Sequence, residues 1–275
     1  MPVINVAALT EADIPGAVKA IQEAFADDPY NNWVFDKANP CTQFNAQRNA
    51  ASLGIRCRWG MRNGIFHVAK EEGSDQVLGV ACWLRPQKAD KPKSWNDWLE
   101  DWKLWLNQVS MNLYYGRGGL IVKVSLGLLV VSFPPFADHG ARHDEHPGVP
   151  NYFSASARPS DQVASVRYYI WKEAQAQAQS SVWTDPRGYY FLNIMVVVPE
   201  AQGKGVGRQM MKAVTDQADA EGMNCYLESS RDKPNMQIYG RFGFRFAKEL
   251  ECDDDGTAIK LFAMVREPNA SPQDN

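Results

Sequence analysis

The sequence predicts an α/β domain. Short runs such as Val77–Leu84 and Tyr189–Val198 have strand character. Between such runs, apolar residues recur at helical spacing, as at Ile14, Val18, Ile21 and Phe25. A chain of 275 residues with 45% hydrophobic residues can also bury a sizeable core without staples. One domain over residues 1–267 is expected, with a flexible polar tail at 268–275.

The elements follow in chain order. Val3–Leu9 reads as a strand. Thr10 and Asp13 then have the spacing of a capping box, which opens the first helix. Asp28-Pro29 reads as the stop of that helix. Thr42–Arg62 reads as a second helix, broken by Asn63-Gly64. Ile65–Ala69 and Val77–Leu84 read as strands joined by a turn at Glu72–Asp75.

From Arg85 to Asp185 the character changes. Trp95, Trp98, Trp102 and Trp105 recur on one helical face, which predicts core or, as the alternative, pocket wall. Leu120–Phe133 is apolar but too short to cross a bilayer, which needs ~20 residues, and it reads as a buried strand or helix. Phe133–Pro150 reads as an exposed loop; its His139, His143 and His146 have no cysteine nearby and suggest no metal site. A helix is expected from Asp161 to Ser180.

The last third is the most legible. Tyr189–Val198 lacks alternation and predicts a central strand buried on both faces. Gly203–Glu221 reads as a helix entered through a glycine-rich turn. Cys225–Glu228 reads as a strand and Asn235–Arg241 as a short helix. Phe244–Ala247 and Ile259–Val265 read as strands joined by the acidic turn Asp253–Gly256.

Composition narrows the function classes. A net charge of -3 gives no global attraction for nucleic acid or an anionic membrane. The five cysteines are widely spaced and form no CxxC pair, so neither a zinc site nor a disulfide framework is indicated. Met1–Thr10 lacks the basic-then-apolar pattern of a signal peptide, and a cytoplasmic protein is expected.

The chemistry concentrates in Val196-Val197-Val198-Pro199-Glu200-Ala201-Gln202-Gly203-Lys204-Gly205-Val206-Gly207-Arg208. Glycine at every second position lets the backbone approach a bulky anion, and amides at the start of the next helix point at it. Arg208 adds a positive charge at the rim. The stretch is neither a GxGxxG dinucleotide loop nor a P-loop, because Arg208 follows Gly207 and Gly205 follows Lys204.

This stretch resembles motif A of the GCN5-related N-acetyltransferase (GNAT) superfamily through Gln202, Gly205 and Gly207. A second block fits further on: Tyr226-Leu227-Glu228-Ser229-Ser230, then Asn235 and Tyr239, then Phe242-Gly243-Phe244. Details of the second block are most similar to antibiotic-type members such as the puromycin N-acetyltransferases, and to fungal members. The resemblance is close from Tyr189 to about Val265. It implies a mixed, mainly antiparallel sheet flanked by helices, with strands four and five splayed by the coenzyme. Residues 88–185 depart from the family pattern and read as a long helical insertion between strands three and four.

The resemblance also implies roles. Gln202, Gly203, Lys204, Gly205, Val206, Gly207 and Arg208 would hold the pyrophosphate of acetyl-CoA. The backbone of Met195, Val196 and Val197 would pair with the pantetheine arm, and Asn235 would contact the coenzyme or cap its helix. Tyr239 is the candidate acid that protonates the leaving thiolate, and Glu228 the candidate base, directly or through water. Asp27, Asp28, Trp33 and Asn193 are candidate contacts for the acceptor; Asp27 and Asp28 can equally shape the turn before Pro29. The expected reaction is acetyl transfer from acetyl-CoA to the primary amine of a small molecule in a ternary complex, with no metal, by a monomer or homodimer. A protein or peptide acetyltransferase and a non-catalytic acetyl-CoA sensor are the alternatives.

Overall fold

The computed structural model describes residues 3–35, 45–87, 95–115 and 163–269. The N-terminal half runs β1 (Ile4–Ala8), α1 (Ile14–Ala24), α2 (Pro29–Phe35), α3 (Ala46–Asn63), β2 (Gly64–Glu71) and β3 (Val77–Leu84). Two helices follow, α4 (Trp95–Tyr115) and α5 (Val163–Val182). The chain then continues through β4 (Tyr190–Val197), α6 (Val206–Glu221), β5 (Cys225–Ser229), α7 (Asn235–Gly240), β6 (Arg245–Asp254) and β7 (Thr257–Arg266). The strands form one sheet in the order β1-β2-β3-β4-β5-β7-β6. β4 and β5 run parallel, and the other neighbours are antiparallel. The mixed, mainly antiparallel sheet expected from the resemblance is therefore present.

Local chemistry sets the boundaries. The amide and hydroxyl of Thr10 both donate to the Asp13 carboxylate, at 3.0 and 2.7 Å, and the 3-10 turn Glu11–Asp13 leads into α1. Asp13 also pairs with Lys70, which ties the helix entry to β2. Asn45 caps α3 by accepting from the Arg48 amide. α6 ends at Gly222, whose φ of +62° suits the left-handed cap.

Helices cover both faces. On one face α6 sits so close to β3 that a side chain at Gly79 would strike Met210 and Val206. On the other face α2 and α5 cover the β4-β5-β7-β6 half. Tyr226 is fully buried there, with the rings of Trp183 and Phe191 at 5.4 and 5.3 Å. Aromatic contacts of this kind add ~0.5–1.5 kcal/mol each beyond burial.

The structure corrects four expectations. Asp28-Pro29 opens a helix instead of only closing one: α1 ends at Ala24, Pro29 is the first residue of α2, and Asp28 Oδ1 accepts from the Asn31 amide at 2.9 Å. β6 runs on to Asp254, because Leu250 and Cys252 point inward while the intervening charges face solvent. The turn is then Asp255-Gly256 alone, both at positive φ. β4 is central but not buried on both faces, since Asn193 is exposed and Ile194 and Met195 are partly so. The tryptophan stripe is not a uniformly buried face, because Trp95 is 77% exposed. The expectations for Leu120–Phe133, for His139, His143 and His146, and for Cys41 lie outside the described residues. Among the described residues, no helix is long and apolar enough to cross a membrane.

Candidate active site

The sheet opens at its centre. β4 and β5 face each other at Tyr190–Cys225, Phe191–Tyr226 and Leu192–Leu227, and no further. The cause lies in β4. Leu192 pairs with Trp83 and Ile194 with Cys82, so Asn193 is an extra residue against β3. Such a bulge bends the strand and increases its twist. Beyond it β4 stays on β3 as far as Val197, while β5 stays on β7 as far as Ser229. Between Asn193 and Val197, the edge of β4 that faced β5 is left without a strand among the described residues. Its backbone groups can pair with an extended ligand, as the resemblance implies for Met195, Val196 and Val197.

The end of β4 leads into the glycine loop. Gly203 and Gly205 have φ of +73° and +83°, a region that L side chains disfavour, and no atom lies within 4 Å of where a Cβ would stand. Gly205 occupies the cap position of α6 and offers no capping side chain. The first-turn amides of Val206, Gly207 and Arg208 have no acceptor within the helix by geometry. Gly207 lies against Val197, with 3.5 Å from its Cβ position to the valine methyl. Gln202 folds back and donates to the Val197 carbonyl at 3.3 Å, bracing the loop against the strand. Lys204 and Arg208 are exposed at its rim. Open space above bent glycines, unfilled amides and two cations fit a pyrophosphate.

Tyr239 lies on α7, on the α6 side of the sheet, with its ring 6.2 Å from that of Phe244. The residue is half-buried, and burial pushes its phenol up to about 12. It therefore stays protonated at neutral pH and can act as a proton donor. Asn235 opens α7 and donates to Ser229 Oγ at 3.0 Å, fastening α7 to the end of β5.

Glu228 lies on the opposite side. Along β5, Cys225 and Leu227 join the core that includes α6, whereas Tyr226 points toward α5 and donates to Glu228 Oε1 at 2.8 Å. Gln175 of α5 donates to Oε2 at 2.9 Å, and the Trp171 side chain lies close enough to favour the carboxylate slightly. Burial raises the Glu228 pKa above the ordinary carboxylate value; these groups and Lys172 pull in the other direction, and burial prevails. A carboxyl with a raised pKa is a better proton acceptor.

The other candidates separate. Asn193 is the exposed bulge residue at the opening. Asp27 is exposed, and its carbonyl accepts from Arg231 at 2.7 Å. Asp28 is buried, caps α2 and accepts from the Ser230 hydroxyl. Trp33 is packed into the core at 5% exposure, donating to the Thr257 carbonyl at 2.7 Å beneath the Arg167 guanidinium. Sequence reasoning missed Gln175, Tyr226 and Trp171 as partners of Glu228. The Gln175 signal is hidden in a run of alternating Ala and Gln, Ala174–Gln179. Among the described residues, no group of three or more His, Cys, Asp or Glu could hold a metal.

A mixed sheet that parts between two parallel central strands beside a glycine-bent helix entry is the arrangement implied for a GNAT domain. Residues 164–246 match the acetyltransferase (GNAT) domain family. Over this stretch the chain is similar to N-acetyltransferases of the GNAT superfamily. It is 34% identical over 84 residues to an uncharacterized N-acetyltransferase of Schizosaccharomyces pombe, 30% of this chain. The match spans 33% of that relative's length. Arylalkylamine N-acetyltransferase 2 of Aedes aegypti has a similar fold, with a TM-score of 0.54 at 13% identity, covering 97% of this chain and 99% of that one. A Corynebacterium glutamicum structure described as histone acetyltransferase HPA2 and related acetyltransferase aligns at a TM-score of 0.49 and 20% identity, covering 99% of each chain.

Proposed function

We propose that the protein is an acetyl-CoA-dependent N-acetyltransferase that acts on the primary amine of a small molecule. The observation that carries the reading is the opening between β4 and β5, which has the glycine loop at one end, Tyr239 on one side and Glu228 on the other. Acetyl-CoA, when bound, supplies an activated acetyl thioester. The loop Gln202–Arg208 would hold its phosphates, and the free edge of β4 its extended arm.

The residues then divide the proton traffic. Glu228 takes a proton from the acceptor nitrogen, directly or through water, so that the nitrogen lone pair can form the new N–C bond. The C–S bond breaks, and Tyr239 donates its phenolic proton to the departing sulfur. Placing base and acid on opposite sides of the sheet supports direct transfer in a ternary complex, because acceptor and donor can approach from opposite faces. The aromatic cover that α2 and α5 lay over the acceptor side supports a small molecule over an open peptide groove.

The test is thiol release from acetyl-CoA across a panel of small primary amines and of N-terminal and lysine peptides. Acetylation of small amines supports the reading. Acetylation of peptides alone would replace the acceptor class, and binding of acetyl-CoA without transfer to any member would leave a sensor.

A further inference from the structure

Glu228 lies beside an aromatic wall. Tyr30 of α2 and Trp171 of α5 have ring centroids 5.1 Å apart, and the Tyr168 ring lies 5.6 Å from that of Trp171. All three are half-buried, so the wall keeps accessible surface. Two cations flank it. Lys172 Nζ stands 4.9 Å from the Trp171 centroid and donates to Gln175 Oε1 at 3.2 Å, the same Gln175 that holds Glu228. Arg56 is exposed on α3, within electrostatic reach of Tyr30, Tyr168 and Lys172.

Among the described residues, the charges around this wall do not balance. Among the described residues, neither Arg56 nor Lys172 has a carboxylate within salt-bridge distance, although Arg58 and Arg62 on the same helix pair with Glu11 and Glu100. The nearby acid is Glu228, already engaged by Gln175, Tyr226 and Trp171 and required for the acceptor nitrogen. Two like charges next to a low-dielectric wall repel each other unless an anion joins them. The surplus of positive charge is what an anionic group on the acceptor would neutralise.

We propose that the acceptor is a primary amine of the aromatic amino-acid type, with its ring on the Tyr30–Trp171–Tyr168 wall, its amine at Glu228 and its carboxylate between Arg56 and Lys172. The proposal rests on the acetyltransferase reading above and adds the acceptor's chemistry.

Matched pairs test it: tryptophan against tryptamine, and phenylalanine against phenethylamine, each with acetyl-CoA and thiol release as the readout. Native protein is expected to favour the carboxylated member in kcat/KM. In Arg56→Gln the loss for that member should exceed the loss for its decarboxylated partner by up to about fivefold, through KM, since an exposed charge pair contributes at most on the order of 1 kcal/mol. Arg56 is exposed and makes no hydrogen bond among the described residues, so the variant is expected to fold; Lys172→Gln is the second variant. Equal losses for both members, or a native preference for the decarboxylated amines, would overturn the proposal. Acetylation of other amines but of neither pair overturns it and leaves the acetyltransferase reading standing. Acetylation of no amine at all overturns both.

Discussion

The Gln175 side-chain amide reaches from α5 to Glu228 Oε2 at 2.9 Å and joins two parts of the chain 53 residues apart. Gln175 is itself buried, so the bond fixes the rotamer of Glu228, the carboxylate proposed as the base. The helix that covers the site thereby also orients its chemistry.

Glu228→Gln should reduce turnover most at low and neutral pH, where the acceptor amine is still protonated, and the deficit should shrink as pH rises. Stability follows a separate rule. The folded-state pKa of Glu228 is raised above its ordinary 4.5, so its favourable contribution is complete below 4.5 and is lost as pH rises through the folded value. Thermal melts of Glu228→Gln should lack that pH slope. A pH-independent loss of turnover would assign Glu228 a structural role.

Tyr239→Phe keeps the ring against Phe244 and removes the hydroxyl. Turnover is expected to fall by ~10²–10⁴, the range for loss of a general acid. Acetyl-CoA affinity should change little, because the hydroxyl acts as charge develops on sulfur. Near-native turnover in single-turnover measurements would make water the donor.

Gly205→Val places a β-branched residue at φ +83° and fills the space above the loop. Acetyl-CoA should raise the melting temperature of the native protein, because only the folded state binds it. That rise should vanish in Gly205→Val. A persistent rise in a folded variant would move the phosphates elsewhere.

Arg266 is buried and grips Asp219 through both terminal nitrogens at 2.7 Å, while its Nε donates to the Phe242 carbonyl at 3.0 Å. Asp219→Ala should cost ~3 kcal/mol, the low end for breaking a buried pair, since the Asp219 side chain keeps 20% exposure. The Arg266 bond lowers the Asp219 pKa below its ordinary 3.8, so this stabilisation is present above 3.8 and is lost as pH falls through the folded value. Denaturant melts of the native protein and Asp219→Asn should converge in acid.

Strands with dense apolar runs were legible from residues alone: β3 occupies the expected Val77–Leu84. The glycine loop was legible too, because positive φ selects glycine at Gly203 and Gly205. What escaped depends on partners distant in sequence. The Asn193 bulge exists only as a register against Trp83 and Cys82, and no residue type announces it. The extent of β6 is hidden because Lys248, Glu249 and Glu251 interrupt its apolar run, although Glu249 and Glu251 alternate outward around Leu250 and Cys252 and Lys248 donates to Ser181 on α5. Trp33 has the residue type of a pocket aromatic, but its indole donates to the carbonyl of Thr257, 224 residues away.

Arg167 on α5 donates to Asp254 at 2.9 Å and to the Trp33 carbonyl at 2.8 Å, and both charged side chains are about nine-tenths buried. A shortened protein that joined residue 87 directly to residue 186 would strip Asp254 of this guanidinium and uncover Tyr226 and Phe191. α5 therefore cannot be trimmed as an ornament on a minimal domain. Transplanting the glycine loop and β5 into another scaffold would carry the chemistry only if α5 travelled with them.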